Sequence, residues 1–198
     1  MRGLTLVSRE TRERLETYLG VLTKWQPRIN LVGTTTLRDP WRRHILDSTQ
    51  LIALIPESAT TLIDLGSGAG FPGMVLAICG VSNVHLIESD QRKVAFLREV
   101  AAATNTNVTI HCARIEAVSL PPADVVTARA LAPLAQLIDY ALPLLGPRGV
   151  CLFLKGERAE REIPESLTRW SMNLERFPSQ SAATGRILRL SSILPRLV

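Results

Sequence analysis

The stretch Asp64-Leu65-Gly66-Ser67-Gly68-Ala69-Gly70-Phe71-Pro72-Gly73 decides the fold. Thr61 to Leu65 reads as a strand running into it and Pro72 to Cys79 as a helix leaving it, so the glycines sit in a strand-to-helix turn. Glycine at such a turn takes positive φ without steric cost and lets a ligand approach the backbone. The spacing is G-x-G-x-G. Counted from Gly66, the sixth position is Phe71, where a dinucleotide fingerprint requires glycine. The turn also lacks the Gly-Lys-Ser/Thr ending of a phosphate-binding loop. Nicotinamide and nucleoside triphosphate cofactors are therefore disfavoured.

Downstream of the turn, short apolar runs alternate with helical patterns. Strands are predicted at Val84 to Glu88, Val108 to Cys112, Asp124 to Ala128 and Gly149 to Lys155. Helices are predicted at Gln91 to Ala103, Pro133 to Leu145 and Glu157 to Trp170. This alternation implies an α/β fold with crossover connections and a mostly parallel sheet, with helices on both faces. Leu174 to Phe177 and Arg186 to Ile193 follow as a hairpin-like pair that adds an antiparallel strand, for a seven-stranded sheet. Upstream, Ser8 caps a first helix in which Leu15, Tyr18, Leu19, Leu22 and Trp25 recur at helical spacing, and Pro27 ends it. Asp39-Pro40 opens a second helix from about Trp41 to Ile55, stopped by Pro56. Arg28 to Gly33, between them, has no clear period. The expected organisation is a single domain over residues 1–198, with a helical extension at 1–58 and a cofactor-binding core at 59–198.

The 198 residues are 46% hydrophobic and 21% charged, which suits one globular domain and excludes wholesale disorder. No apolar run approaches the roughly 20 residues of a membrane-spanning helix, and the N-terminal residues lack a signal-peptide pattern. A cytoplasmic protein without membrane attachment is expected. Cys79, Cys112 and Cys151 are odd in number and scattered among apolar neighbours, which fits neither a disulfide framework nor a zinc site, and no metal is expected. The net charge of +5 is uneven: residues 1–46 carry +5, residues 47–147 carry −4 and residues 148–198 carry +4. Basic flanks around an acidic middle are either solvated surface or a grip on an anionic macromolecule.

Glu88 ends the second strand, 18 residues after Gly70. A carboxylate there is placed to accept both hydroxyls of a ribose and would repel a 2′-phosphate. Asp64 puts a second carboxylate at the tip of the first strand. Two negative groups and no pyrophosphate site suit a phosphate-free, positively charged nucleoside, and S-adenosylmethionine is that molecule. Ala113-Arg114-Ile115-Glu116 follows the third strand. There Ile115 offers a packing surface for adenine and Glu116 or the backbone a partner for its polar edge; an ordinary connecting loop is the alternative. Thr127-Ala128-Arg129-Ala130-Leu131-Ala132-Pro133 closes the fourth strand, facing the transferable methyl. It lacks the Asn/Asp-Pro-Pro-Tyr/Phe motif of adenine amino methylation, and no Pro-Cys pair offers the nucleophile that carbon-5 pyrimidine methylation needs. The acceptor should carry its own lone pair, and no catalytic residue is assigned.

Several further stretches complete the pattern: Asn30-Leu31-Val32-Gly33, His44-Ile45-Leu46-Asp47-Ser48, Lys93 to Val100, Ala128-Arg129-Ala130 and Leu154-Lys155-Gly156. With the glycine turn they resemble, in order and over about residues 15–156, the bacterial small-subunit ribosomal RNA guanine-N7 methyltransferase family called RsmG or GidB. The resemblance implies a Rossmann-like class I S-adenosylmethionine-dependent methyltransferase fold with an N-terminal helical extension. It implies methyl transfer to N7 of one guanine in 16S ribosomal RNA, with that RNA or the small ribosomal subunit as partner; a methyltransferase acting on a small molecule or protein is the alternative. By matching position it implies cofactor contacts from Gly66 and Phe71, from Glu88, Ser89 and Asp90, from Ile115 and Glu116, and from Arg129. Gly68 and Gly70 share the turn with them. The tail departs from the family's Glu-Arg-His run, with Thr184-Gly185-Arg186-Ile187-Leu188 in its place.

Guanine N7 carries an in-plane lone pair in the neutral base, so transfer calls for positioning rather than a general base. Arg129 either orders the cofactor pocket or contacts base or phosphate; a salt bridge to Asp64 or Glu116 is the competing assignment. His44 and Asp47 are read as a structural tie between extension and sheet. Candidate RNA contacts are Arg28, Asn30, Arg42, Arg43 and Lys155, together with Arg38. Asn30 is equally a turn cap, and Lys155 equally a solvated lysine. Trp25 and Trp41 are assigned to helix packing, and a monomer is expected.

Overall fold

The computed structural model describes residues 8–196. Ser8 caps α1 (Arg9–Trp25), its hydroxyl accepting the Thr11 N–H at 3.1 Å. Gln26, just past the helix, orders the Asn30-Leu31-Val32-Gly33 stretch. Its Oε1 accepts the Leu31 and Val32 N–H groups at 3.2 and 3.1 Å, and its Nε2 donates to Val32 O at 2.8 Å. A short 3-10 turn, Thr34–Arg38, follows.

The helix expected from Trp41 to Ile55 is divided. Trp41–Leu46 is a π-helix, α2 is the single turn Asp47–Thr49, and Ile52–Leu54 is a 3-10 turn. Asp39 caps the start, accepting the Arg42 N–H at 3.0 Å. The irregularity has a cause at the carbonyls. In a regular α-helix the Asp47 N–H would bond Arg43 O; here it goes to His44 O, and Arg43 O accepts a guanidinium N–H from Arg129 at 3.2 Å. A side chain from another element has entered the ladder.

β1 (Leu62–Leu65) leads through the glycine turn into α3 (Gly73–Ile78). β2 (Val84–Glu88) leads into α4 (Gln91–Ala103), and β3 (Thr109–Cys112) into a 3-10 turn at Ile115–Ala117. β4 (Ala123–Arg129), α5 (Leu134–Ala141), β5 (Leu145–Lys155) and α6 (Ala159–Arg169) follow. The hairpin of β6 (Trp170–Pro178) and β7 (Arg186–Pro195) comes last. Its strands outrun their apolar cores because β6 is an edge strand on which half-buried and exposed residues mostly alternate, so much of it reads as polar.

The sheet order is β3-β2-β1-β4-β5-β7-β6. β1 to β5 are parallel, β7 is antiparallel to β5, and β6 is antiparallel to β7. The chain walks outward from β1 to β3 and returns to β4 beside β1. The order therefore reverses between β1 and β4, which opens a crevice at their carboxyl ends.

Side chains alternate between the two faces. Leu62, Leu86, Val125 and Leu152 meet Leu15, Leu22, Met74 and Phe96 of α1, α3 and α4. Ile63, Ile87, Val126 and Phe153 meet Leu137, Ile138 and Ile163 of α5 and α6. Trp25 and Trp41 are partly buried against the first of these cores. Cys151 is buried and Cys79 half-buried, while Cys112 is exposed at the end of β3, an outer strand, rather than enclosed by its apolar neighbours.

Gly70 sets how closely α1 approaches the turn. Its φ is +87°, and a Cβ there would stand 2.7 Å from the Tyr18 hydroxyl and 2.9 Å from Met74 Cβ. Gly70→Ala combines a left-handed backbone cost with overpacking and should lower stability by about 3 kcal/mol. Urea unfolding checks this as a lowered midpoint at unchanged slope.

Candidate active site

The carboxyl ends of β1, β2, β4 and β5 face the segment around residues 31–47 and the hairpin loop 179–186 across a cleft of about 680 Å³. That volume lies within the range of small-molecule sites. Gly66, Gly68 and Phe71 line it, with Glu88 and Ser89 after β2, Ile115 and Glu116 after β3, Arg129 at β4 and Lys155 at β5. Gly66 and Gly68 have φ of +57° and +56°. A Cβ on Gly68 would meet nothing closer than Gly66 O at 3.8 Å, so it would project into the open cleft. A side chain there would fill the space that a ligand needs.

Glu88 is 7% exposed. Its Oε2 accepts the Gly68 N–H and its Oε1 the Asp90 N–H, both at 2.8 Å. Each oxygen keeps a further lone pair, so the carboxylate can still accept two hydroxyls while it holds the turn in shape. An adenosyl group with a free ribose fits these acceptors.

Three expected residues point elsewhere. Asp64 is wholly buried behind the turn, its Oδ1 accepting the Thr127 hydroxyl at 2.7 Å and its Oδ2 the Gly73 N–H at 3.3 Å. Strand alternation turns it under α3 rather than toward the crevice. Burial pushes its carboxyl up to about 6, against the hydrogen bonds and the nearby Arg129 charge that favour ionisation. Gly70 faces α1. Asp90 caps α4, accepting the Arg92 N–H at 2.8 Å.

Arg129 is a half-buried cation of the site. Its Nη1 donates to Arg43 O at 3.2 Å, to His44 Nδ1 at 3.1 Å and to Asp47 Oδ2 at 3.3 Å. Its guanidinium lies 4.8 Å from the centroid of the Phe71 ring. The salt bridge goes to Asp47, not to Asp64 or Glu116. His44 and Asp47 thus tie the extension to the sheet through Arg129. Phe71 also stacks on His44 at 4.6 Å and on Tyr18 at 5.1 Å between centroids, and the buried Tyr18 hydroxyl donates to Ala69 O.

The contacts fix the His44 tautomer. Arginine only donates, so Nδ1 accepts; Nε2 then carries the proton and donates to Thr36 Oγ1 at 2.9 Å, whose hydroxyl donates to Gly33 O at 2.6 Å. Burial, with the charges of Arg129 and Arg43, holds the imidazole down at about 3 from its ordinary 6.5. Between those values the unfolded chain binds the proton and the folded one does not, so stability falls as pH drops through the window. From pH 7 to pH 5 the His44 share is about 2 kcal/mol. His44→Asn keeps the acceptor but does not titrate, and should remove that share when urea unfolding is compared at the two pH values.

The hairpin loop had no assigned role in the sequence, yet it forms the far wall. Asp47 Oδ1 accepts the Ser181 hydroxyl and, at 3.0 Å, the Gln50 side-chain amide. The Gln180 N–H donates to Gln50 Oε1 at 2.9 Å. The only local hint was the run Ser179-Gln180-Ser181. Lys155 is neither solvated nor free: its Nζ lies 2.6 Å from Glu162 Oε2 and donates to Ala132 O at 2.9 Å. Glu162 Oε2 also accepts the Leu134 N–H at 2.7 Å, so the pair fixes the start of α5. Arg43 lines the cleft, whereas Arg28, Asn30 and Arg42 do not. The Asn30 side chain accepts from Gln26 Nε2 at 3.4 Å.

A sheet with this order and an antiparallel strand beside β5 is the class I S-adenosylmethionine-dependent methyltransferase fold. The solved structure of a putative S-adenosyl-L-methionine-dependent methyltransferase from Methanococcus maripaludis matches it with a TM-score of 0.64, covering 91% of this chain and 94% of that one at 14% identity. Within that class, the chain belongs to the GidB family, rRNA small subunit methyltransferase G, whose model matches residues 11–186. Proteins named ribosomal RNA small subunit methyltransferase G from Rhodospirillum rubrum and Rhodospirillum centenum are 59% and 55% identical to it. The matches cover 94% and 96% of this chain and 93% and 88% of those proteins.

Proposed function

We propose that the protein transfers a methyl group from S-adenosylmethionine to N7 of one guanine in 16S ribosomal RNA. The observation that carries this is the family match across residues 11–186, and the cleft supports it with groups suited to the donor. Gly68 admits the donor against the backbone, Gly66 keeps the turn close to Leu131, Glu88 accepts the ribose hydroxyls, and Ile115 and Glu116 meet the adenine. Phe71 and Arg129 shape the end of the cleft between the glycine turn and β4. Paired with Asp47 at 3.3 Å, Arg129 opposes a cationic ligand far less than a bare guanidinium would.

When bound, S-adenosylmethionine supplies an electrophilic methyl on its sulfonium. Guanine N7 presents its lone pair without losing a proton, so no side chain has to act as a base. The chain's work is to hold two reactants in line, a contribution of roughly 7–11 kcal/mol. Neither Cys79, its thiol pushed up to about 11 by burial, nor the more strongly shifted Cys151 lines the cleft. Among the described residues no helix is long and apolar enough to cross a membrane. A ribosomal RNA substrate supports a cytoplasmic location.

Mass mapping of 16S ribosomal RNA from cells lacking the protein tests this. One N7-methylguanine should be missing and should return with the wild-type gene. With labelled donor, radioactivity should enter RNA; label only in protein or metabolite fractions would overturn the assignment in favour of another acceptor.

A further inference from the structure

At the mouth of the cleft, residues from 35–43 and 181–184 line a second, open hollow of about 460 Å³. It shares Arg43, Ser181, Ala182 and Thr184 with the cleft, so the two spaces adjoin. Arg38, Arg42 and Arg43 line the hollow, and all three are exposed. Among the described residues none of them forms an ion pair. The one carboxylate in the hollow, Asp39, accepts the Arg42 backbone N–H at 3.0 Å. The frame is pinned. Arg43 Nη1 donates to Ser181 O at 3.4 Å, and the hairpin loop is closed by Ser179 N–H to Gly185 O and Gly185 N–H to Ala182 O, both at 3.0 Å.

We propose that this hollow is a phosphate subsite for the RNA backbone next to the guanine being methylated. It rests on the RNA reading above and adds where the strand lies. A base whose ring atom is to react must leave its stack and enter the cleft. Its sugar and phosphates then stay at the mouth, where the hollow opens. Three guanidiniums without a carboxylate partner replace counterions on phosphate oxygens there, and their planar forks suit those oxygens better than an ammonium would. Its position beside a cleft of about 680 Å³, sharing four wall residues with it, favours RNA over an acidic protein surface.

The test compares wild type with an Arg38→Gln/Arg42→Gln double variant for binding to protein-free 16S ribosomal RNA over a range of salt. Two lost single-strand phosphate contacts should flatten the slope of log K against log salt by about 1.4. Affinity near 0.1 M salt should fall at least tenfold. The Arg38→Lys/Arg42→Lys variant keeps the charge and should retain the wild-type slope. A double Gln variant with the wild-type slope overturns the subsite. So does polyglutamate binding as strong as RNA binding and lost in the same variant, which would assign the hollow to an acidic protein. If wild type labels RNA while the slope is unmoved, only the subsite fails; if wild type labels no RNA, the assigned function fails with it.

Discussion

Glu88→Ala should fold and yet bind S-adenosylhomocysteine at least a hundredfold more weakly than wild type. The carboxylate is 7% exposed and already holds Gly68 and Asp90 by their N–H groups, so its orientation is set before any ligand arrives. Hydrogen bonds to a charged group contribute about 1.5–3 kcal/mol each, and a ribose offers two. Removing both gives about 3–6 kcal/mol, a factor of roughly a hundred to ten thousand in affinity. Fold stability should change much less, because the freed Gly68 N–H opens onto the cleft and water. Glu88→Gln keeps the shape with one accepting oxygen and should recover part of the loss. Calorimetric titration reads both variants, and near-wild-type affinity in Glu88→Ala would remove the ribose role.

Arg129→Ala should be the most destabilising change at the site. It leaves the Asp47 carboxylate, 15% exposed, without its cation, and leaves His44 Nδ1 and Arg43 O without a donor. Stripping one partner from a buried pair costs about 3–5 kcal/mol, and this partly exposed pair belongs at the lower end. For a chain of this length that corresponds to a fall in Tm of about 10 °C. Methyl transfer should fall as well, because residues 43–47 lose their anchor on β4, and the loop 179–186 leans on Asp47 in turn. Arg129→Lys should rescue only in part: an ammonium has enough donors for the acceptors that Nη1 serves, but no planar guanidinium to reach them and lie over Phe71 at once. A double-mutant cycle of Arg129→Ala with Asp47→Ala should show a coupling of about 1–3 kcal/mol. Additive effects would break the link between extension and sheet.

What was legible in the sequence was local. The run from Asp64 to Gly73 declares a strand, a turn and a helix through glycine spacing and period, and the later alternation of strand and helix fixes the sheet's class. Glu88 was legible because a strand end places it. Arg129 was visible as a charge at a strand tip, but its partner lies 82 residues earlier, beyond any local pattern. Asp64 shows the opposite failure: a carboxylate near a strand tip looked available, and only the face it takes against α3 shows that it serves the turn from behind. The wall formed by residues 179–186 was invisible because its hydroxyls gain meaning only from the Asp47 and Gln50 side chains that meet them. The Lys155 partner is hidden for a like reason, since Glu162 reaches it from α6. The N7 acceptor came from family resemblance, not from residue chemistry alone.

The widened turn at Trp41–Leu46 has a consequence for how this region tolerates change in length. Each residue of a regular helix advances the azimuth by about 100°. Deleting one residue here would let the ladder close normally and swing His44 and Asp47 out of line with the β4 arginine. The surplus residue acts as a phase shifter: point changes leave the angular setting intact, whereas a single-codon loss would detune the whole extension from the sheet it clasps.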